Sequence, residues 1–505
     1  MKKVLYFAAI AAMFAACSSE ELADQSIVKQ DANGTPVNFS VYTPRGTRAG
    51  TPNDITNGNI GTIGFGVFAY YTAGEKYGET ATPNFMYNQK VYTDQTVHPT
   101  DASDSEWGVG AGKFWTYEPV KYWPNEFGDA AHSDDIDYLT FFAYAPYTEV
   151  EPTTGEIVPT DPSDALKTAI EQNFNIVSVN KNTATGDPIV KYAVDPNPAT
   201  SVDLLWGVAA EKAATDYTPI VPLGATVTEG LPFIDLIKPG KSASDKLDFN
   251  LKHALAKVKV TIDYVADQDL ADGKPAPNPN AVVIKPAETR IYVRSITMNG
   301  FATKGALNLN NTVAGEPLWK AFDGVSDLNF DDVTFFDGRK DGKEGTTNGE
   351  AKNETPQGLN PNIIENSDTK VPVDGTWTAT KTTGVTNQPQ LLFGGDDTKN
   401  GGYFYVIPRN TKGASAEGVN ISIVYDVQTI DPKLAGKLAD GATLGSIIEN
   451  VISKENIFGA NVDIEAGKVY TINIHIGMTS VKVDAAVTPW DATTPDANPT
   501  LPQNN

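Results

Sequence analysis

Cysteine is nearly absent: Cys17 is the only one in 505 residues. No intramolecular disulfide can form, and no thiolate metal cluster can be built. Histidine is scarce as well. His98, His132, His253 and His475 stand at no ligand spacing from one another, and no H-E-x-x-H pattern occurs. Each reads as an ordinary strand or loop residue rather than a catalyst or ligand. Positive charge is thin: 39 Lys and Arg against 63 Asp and Glu give a formal net charge of -24 and a pI near 4.5. Nucleic acid and anionic lipid require cationic surfaces, so neither is an expected partner. Arginine is sparse within that set, since after Arg45 and Arg48 the next is Arg290. Beyond the first residues no apolar run is long enough to cross a bilayer.

The chemistry-bearing patterns are equally sparse. Gly108-Val109-Gly110-Ala111-Gly112-Lys113 has the look of a phosphate loop, yet Phe114 stands where a Ser or Thr should meet magnesium and the first glycine is misplaced. Asp134, Asp135 and Asp137, and likewise Asp337, Asp341 and Glu344, could supply oxygen ligands to calcium, but neither set has EF-hand spacing and both read as solvated acidic loops. No G-x-S-x-G elbow occurs. With no nucleophile, base or metal set converging, neither an enzyme nor a cofactor is expected.

What is present begins at the N-terminus. Lys2 and Lys3 precede an apolar run from Val4 to Phe14, too short for a stable membrane span, and the run ends Phe14-Ala15-Ala16-Cys17. Small residues there admit a signal peptidase, and the Cys17 thiol can take a diacylglycerol thioether. The pattern resembles a bacterial lipobox, so residues 1–16 are expected to be a lipoprotein signal peptide, with membrane contact through lipid on Cys17. Ser18-Ser19-Glu20-Glu21 and Asp24 then open an acidic tether over 17–35. It is similar to a surface-export signal of lipoproteins, and is equally an ordinary solvated linker.

The rest reads as mainly β. The chain has 43 Gly and 33 Pro for turns, and aromatics at 10% to fill strands. At roughly 150 residues per domain, the length suggests two or three. Period-two alternation marks Val37, Phe39 and Val41, then Ile63, Phe65, Val67 and Ala69, as half-buried strands. Tyr138 to Ala145 reads as a strand buried on both faces. Leu166, Ile170 and Phe174 point to a short helix over Asp164 to Phe174, and Leu444 to Ile452 is a second helix candidate. Lys238 to Ser242 breaks the pattern and marks a domain boundary. Beyond it, Leu255 to Tyr264 places Val258, Val260, Ile262 and Tyr264 on one face and Lys257, Lys259, Thr261 and Asp263 on the other. Strands follow at Ile291 to Met298, Tyr403 to Ile407, Ile421 to Val427, Tyr470 to Ile476 and Val481 to Val487, with a long polar loop over Phe336 to Thr382. This pattern suggests β-sandwiches.

Several of these pieces together resemble the fimbrillins of the protease-processed type V pilus and their Mfa-like relatives. Phe249-Asn250-Leu251-Lys252-His253-Ala254-Leu255-Ala256-Lys257-Val258 is similar to the strand that opens the family's C-terminal domain. Ile296-Thr297-Met298-Asn299-Gly300 with Gly305-Ala306-Leu307 resembles the next hairpin, and Tyr403-Phe404-Tyr405-Val406-Ile407-Pro408 a late strand. Gly467-Lys468-Val469-Tyr470 through Trp490 resembles the closing strand pair. Tyr138 to Tyr147 and Asp203-Leu204-Leu205 resemble signatures of the N-terminal domain. The resemblance implies two β-sandwich (transthyretin-like) domains, over 36–240 and 246–490, with long loop insertions, one or two short helices and a disordered tail over 491–505. It implies a surface-exposed place on the outer membrane, in a fimbrium, with other fimbrial subunits as partners and a host or bacterial surface receptor as a further one.

The resemblance also gives Arg45 and Arg48 a role, because in that family an arginine-specific protease cuts there, releases the first strand and leaves a groove for a neighbour's strand. Val37, Phe39 and Val41 would be the releasable set; plain surface arginines are the competing account. The tail from Asp491 to Asn505 holds Pro495, Pro499 and Pro502 and one large apolar side chain, Leu501, which suits it poorly to donate a strand. A tip or accessory role follows, unless Val481 to Val487 is the donor. The aromatics Trp107, Phe114, Trp115, Tyr117, Tyr122 and Trp123 support a rival reading, a surface glycan-binding lipoprotein with Trp107, Trp115 and Trp123 as a stacking platform. Core packing is their plainer explanation.

Overall fold

The computed structural model describes residues 36–43, 54–56, 59–94, 114–124, 137–157, 175–194, 201–209, 228–236, 246–264, 289–337, 376–377, 390–393, 403–409, 418–430, 443–458, 463–476 and 481–489. In chain order these residues form β1 (Asn38–Tyr42), α1 (Ile60–Ile63), β2 (Phe65–Ala73), β3 (Met86–Asp94), β4 (Phe114–Thr116) and β5 (Tyr138–Ala145). There follow β6 (Ile176–Val179), β7 (Ile189–Ala193), β8 (Leu205–Ala209), β9 (Phe233–Leu236), β10 (Lys246–His253) and β11 (Ala256–Tyr264). Next come β12 (Thr289–Phe301), β13 (Lys304–Asn308), β14 (Leu318–Lys320), β15 (Asp331–Asp337), β16 (Thr376–Trp377) and β17 (Gln390–Phe393). The last are β18 (Phe404–Val406), β19 (Asn420–Ile430), β20 (Thr443–Lys454), β21 (Lys468–Ile476) and β22 (Val481–Pro489). The protein is therefore mainly β, as its alternating pattern requires. No helix among the described residues is long and apolar enough to cross a membrane.

Four sheets organise the strands. An eight-stranded sheet runs β1-β10-β8-β5-β2-β3-β4, with β9 also on β5, and a four-stranded sheet runs β14-β13-β7-β6. Two five-stranded sheets run β17-β11-β21-β22, with β18 also on β11, and β15-β12-β19-β20-β16. One core lies on the face of the large sheet that carries Phe65, Val67, Ala69, Phe141 and Ala143. Their sequence neighbours Phe68, Tyr70, Phe142 and Tyr144 point the other way, as period two demands, and meet Val190, Tyr192 and Leu307 of the four-stranded sheet. A third core fills the space between the two five-stranded sheets, with Val258, Val260 and Ile472 from one and Met298, Ile421 and Ile423 from the other. β18 joins two of these cores, sending Phe404 and Val406 into the third and Tyr405 into the second.

Several sequence expectations change. Ile63 to Ala69, expected as a half-buried strand, divides between α1 and β2, where Gly64 at φ 81° ends the helical turn. β2 is then buried on both faces, because the large sheet is covered on both sides. Leu444 to Ile452, expected as a helix, is part of β20 and pairs with β19 from Ile430↔Gly445 to Ile421↔Lys454. Ile447, Ile448, Val451 and Ile452 do recur at helical spacing, but four β-branched chains and Gly445 favour the extended form, and ladder pairing decides it. The helix expected over Asp164 to Phe174 lies outside the described residues. The stretch Phe249 to Val258, expected as one strand, is the end of β10 and the start of β11, separated at Ala254 and Leu255. The long loop expected over Phe336 to Thr382 contains the end of β15 and all of β16.

Strand pairing also runs across the 238–242 stretch. β10 pairs with β8 and with β1, and β13 pairs with β7 over five positions from Lys304↔Ala193 to Asn308↔Ile189.

Candidate functional site

The site begins with β1. Its sequence Val37-Asn38-Phe39-Ser40-Val41-Tyr42 alternates, and Val37, Phe39 and Val41 are 0%, 3% and 4% exposed in the first core. β1 ends the path of the large sheet and is bound there in parallel to β10, in unbroken register from Asn38↔Lys246 to Tyr42↔Asn250. The Phe39 ring lies 5.4 Å from that of Tyr117, 6.2 Å from Phe141, and 6.3 Å from both Phe65 and Phe249. At its start the strand meets the segment after β4: Val37 N–H donates to the Lys121 carbonyl at 2.9 Å, and Tyr117 Oη donates to the Val37 carbonyl at 2.7 Å. Burial of the Tyr117 hydroxyl raises its pKa well above the ordinary tyrosine value, so it remains a donor. At ~1.5–3 kcal/mol per buried side chain, the three apolar residues supply most of what holds the strand. Arg45 and Arg48, immediately beyond Thr43, lie outside the described residues, as do Cys17, Trp107 and the tail 491–505.

Asp54 belongs to a cluster that sequence patterning missed. Asp54 Oδ2 meets Lys257 Nζ at 2.5 Å, with the two side chains 3% and 1% exposed. Its Oδ1 accepts a hydrogen bond from Tyr405 Oη at 2.6 Å, and the Lys257 ammonium also sits 4.4 Å from the centre of the Tyr403 ring. Burial, then the Asp54 charge, push the Tyr405 hydroxyl far above its ordinary pKa. Nearby, His253 Nδ1 meets Asp203 Oδ2 at 2.8 Å, both buried. Burial raises the Asp203 carboxyl, and His253 pulls it back down. The alternation sets Lys257, with Lys259, on the face of the strand opposite Val258 and Val260. It is buried, with the Asp54 carboxylate on its ammonium and the Tyr403 ring against it. No local signal marks Asp54, which sits in a polar, turn-rich stretch.

The remaining candidates fall into place around these two features. Trp123 is 2% exposed, with its ring 5.9 Å from Phe141, and Trp115 is half-buried against Phe65 at 5.2 Å. Both belong to the core on which β1 packs, and Trp123 at 2% exposure presents no open face there. His475 lies 3.4 Å from Asp484 on the neighbouring strand, and Asp137 accepts a hydrogen bond from Tyr71 at 3.0 Å. Among the described residues no group of three or more His, Cys, Asp or Glu gathers as a metal site. Val481 to Val487, the alternative donor, is β22. It pairs with β21 at every position and packs Val483, Ala485 and Val487 on the third core.

No protein-family model matches the chain, and no curated protein matches it. Similar solved structures exist. A fimbrial protein from Bacteroides vulgatus is 18% identical, with a TM-score of 0.46 over 90% of this chain and 99% of its own. The tip fimbrial protein Mfa3 from Porphyromonas gingivalis is 9% identical, with a TM-score of 0.21 over 85% of this chain and 94% of its own. The fimbrial anchor protein Mfa2 from the same organism is 8% identical, with a TM-score of 0.27 over 90% and 98%.

Proposed function

We propose that this chain is a fimbrial subunit or tip/accessory adhesin, exported as an outer-membrane lipoprotein through Cys17 and assembled by protease-triggered strand exchange. One observation carries the reading. The strand before Arg45 and Arg48 places its whole apolar face in the core, and among the described residues its ladder from Asn38 to Tyr42 is formed with β10, with only its start also bonded to the segment after β4. Cutting the chain after it would let it depart and would leave a parallel row of backbone groups on β10 beside an emptied apolar slot. An extended segment of another subunit with apolar residues at alternate positions restores both. The sequence resemblance to fimbrillins and the N-terminal lipobox point the same way, and β22, being built into its own sheet, is a poor donor.

The mature chain treated with an arginine-specific protease is expected to be cut first at Arg45 or Arg48. The fragment carrying Val37, Phe39 and Val41 should then separate from the body on native size exclusion, and the body should bind a synthetic peptide of residues 36–43. A first cut elsewhere, or a fragment that stays with the body, would contradict the proposal. Attachment is tested separately. Cys17→Ser should leave the membrane fraction while still being exported, and retention in that fraction without detergent would remove the lipoprotein reading.

A further inference from the structure

We infer that Asp54 and Lys257 form a clamp that ends the removable segment, so that opening of the chain at β1 stops before residue 54 and the body keeps its shape. The inference rests on the strand-release reading for its purpose, but not for its geometry. On the near side of residues 44–53, β1 is held by apolar contacts and the ladder to β10. On the far side the attachment differs in kind. The Asp54 carboxylate binds Lys257 of β11 and takes the Tyr405 hydroxyl of β18, at a place where all three side chains are buried. Drawing Asp54 outward would take from Lys257 the carboxylate it meets at 2.5 Å in a site 1% exposed to water, and breaking a buried ion pair is strongly unfavourable even with the Tyr403 ring and the Asp203 charge close by.

The segment behind the carboxylate is fastened too. Asn59 Nδ2 donates to the Asp54 carbonyl at 2.7 Å, and the Thr56 N–H donates to Asn59 Oδ1 at 2.8 Å. Ile55 and Ile60 are buried in the same core as β1, and the Gly64 N–H closes α1 on the Ile60 carbonyl at 2.7 Å. β2, an inner strand of the large sheet, starts immediately afterwards. Since β18 also serves the second and third cores, the clamp ties this segment to the junction between them. Removal of β1 would thus leave a groove with a fixed wall rather than an unravelling end.

Hydrogen exchange by mass spectrometry on the intact mature chain tests this without any cleavage. Peptides covering 36–43 should exchange at least about tenfold faster than those covering 59–64, where the Ile60, Ile63 and Gly64 amides are bonded. In Asp54→Asn, and separately in Lys257→Met, the 59–64 peptides should rise to the rate of β1 while those of β5 keep their protection. Equal rates in the wild type, or no change in either variant, would overturn the clamp. If neither variant folds, the wild-type ranking decides alone, with Tyr405→Phe as a milder variant expected to raise exchange at 59–64 partway. A protease arm separates the two ideas. A cut fragment that stays bound while 59–64 remains slow counts against strand release and supports the clamp. A fragment that leaves, followed by trimming of the wild-type body beyond residue 64, counts against the clamp alone.

Discussion

Phe39→Ala is expected to destabilise the first core by about 3–5 kcal/mol, the usual cost of deleting a buried phenyl ring from packed surroundings. Phe39 is 3% exposed and its ring meets those of Phe65, Tyr117, Phe141 and Phe249, so four neighbours lose contact at once. The surroundings are ill placed to collapse into the space, since Phe65 and Phe141 belong to paired inner strands of the sheet. Guanidinium unfolding followed by tryptophan fluorescence suits the measurement, because Trp115 and Trp123 border the same core. The effect also bears on function. β1 is held chiefly by three apolar side chains, so the variant should release its first strand more readily and be cut faster by an arginine-specific protease. A loss below about 1 kcal/mol, well under the range for such deletions, would show that Phe39 does not anchor the strand.

Alkali is expected to unfold the protein cooperatively rather than titrate its tyrosines one by one. Burial raises the hydroxyl pKa values of Tyr70, Tyr77, Tyr87, Tyr117 and Tyr144 far above the ordinary value. Burial, together with the neighbouring Glu149, pushes Tyr147 up to about 12, and Tyr470 is likewise pushed up to about 12, chiefly by burial. The sign follows from linkage. A group whose folded pKa exceeds its unfolded value near 10 contributes stability that is fully present below about pH 10 and is lost as pH rises through the folded value. Since Tyr144 also donates to Asn88 at 2.7 Å, ionising it removes a bond as well as burying a charge. Tyrosinate absorbance from these side chains should therefore appear above about pH 10 only together with loss of the far-ultraviolet strand signal. Titration of this set near pH 10 with the strand signal intact would refute the burial argument.

The sequence was legible wherever a side chain's fate depends on its immediate neighbours along the strand. Val37, Phe39 and Val41 alternate and are buried together. Tyr138 to Ala145 is apolar apart from Thr140, and it is an inner strand covered on both faces. The pattern Val258, Val260, Ile262 placed those residues correctly in one core. Leu444 to Ile452 misled because four apolar residues at helical spacing resemble a helix when the partner strand is unknown. β19 supplies that partner, and ladder bonds outweigh a local periodicity.

The sequence by itself determined that this protein is mainly β, that its first strand has one apolar face, and that arginine follows that strand and then vanishes until Arg290. These are properties of composition and of period two, which act over a few residues. Only the tertiary structure decided that β1 runs parallel to β10, some two hundred residues later in the chain. It alone buried Lys257 beside Asp54, and it alone placed Trp123 inside the first core with Trp115 half-buried against it. Parallel pairing, ion pairing in the interior and the covering of a second strand face all depend on which distant segments meet, and local pattern carries no information about that.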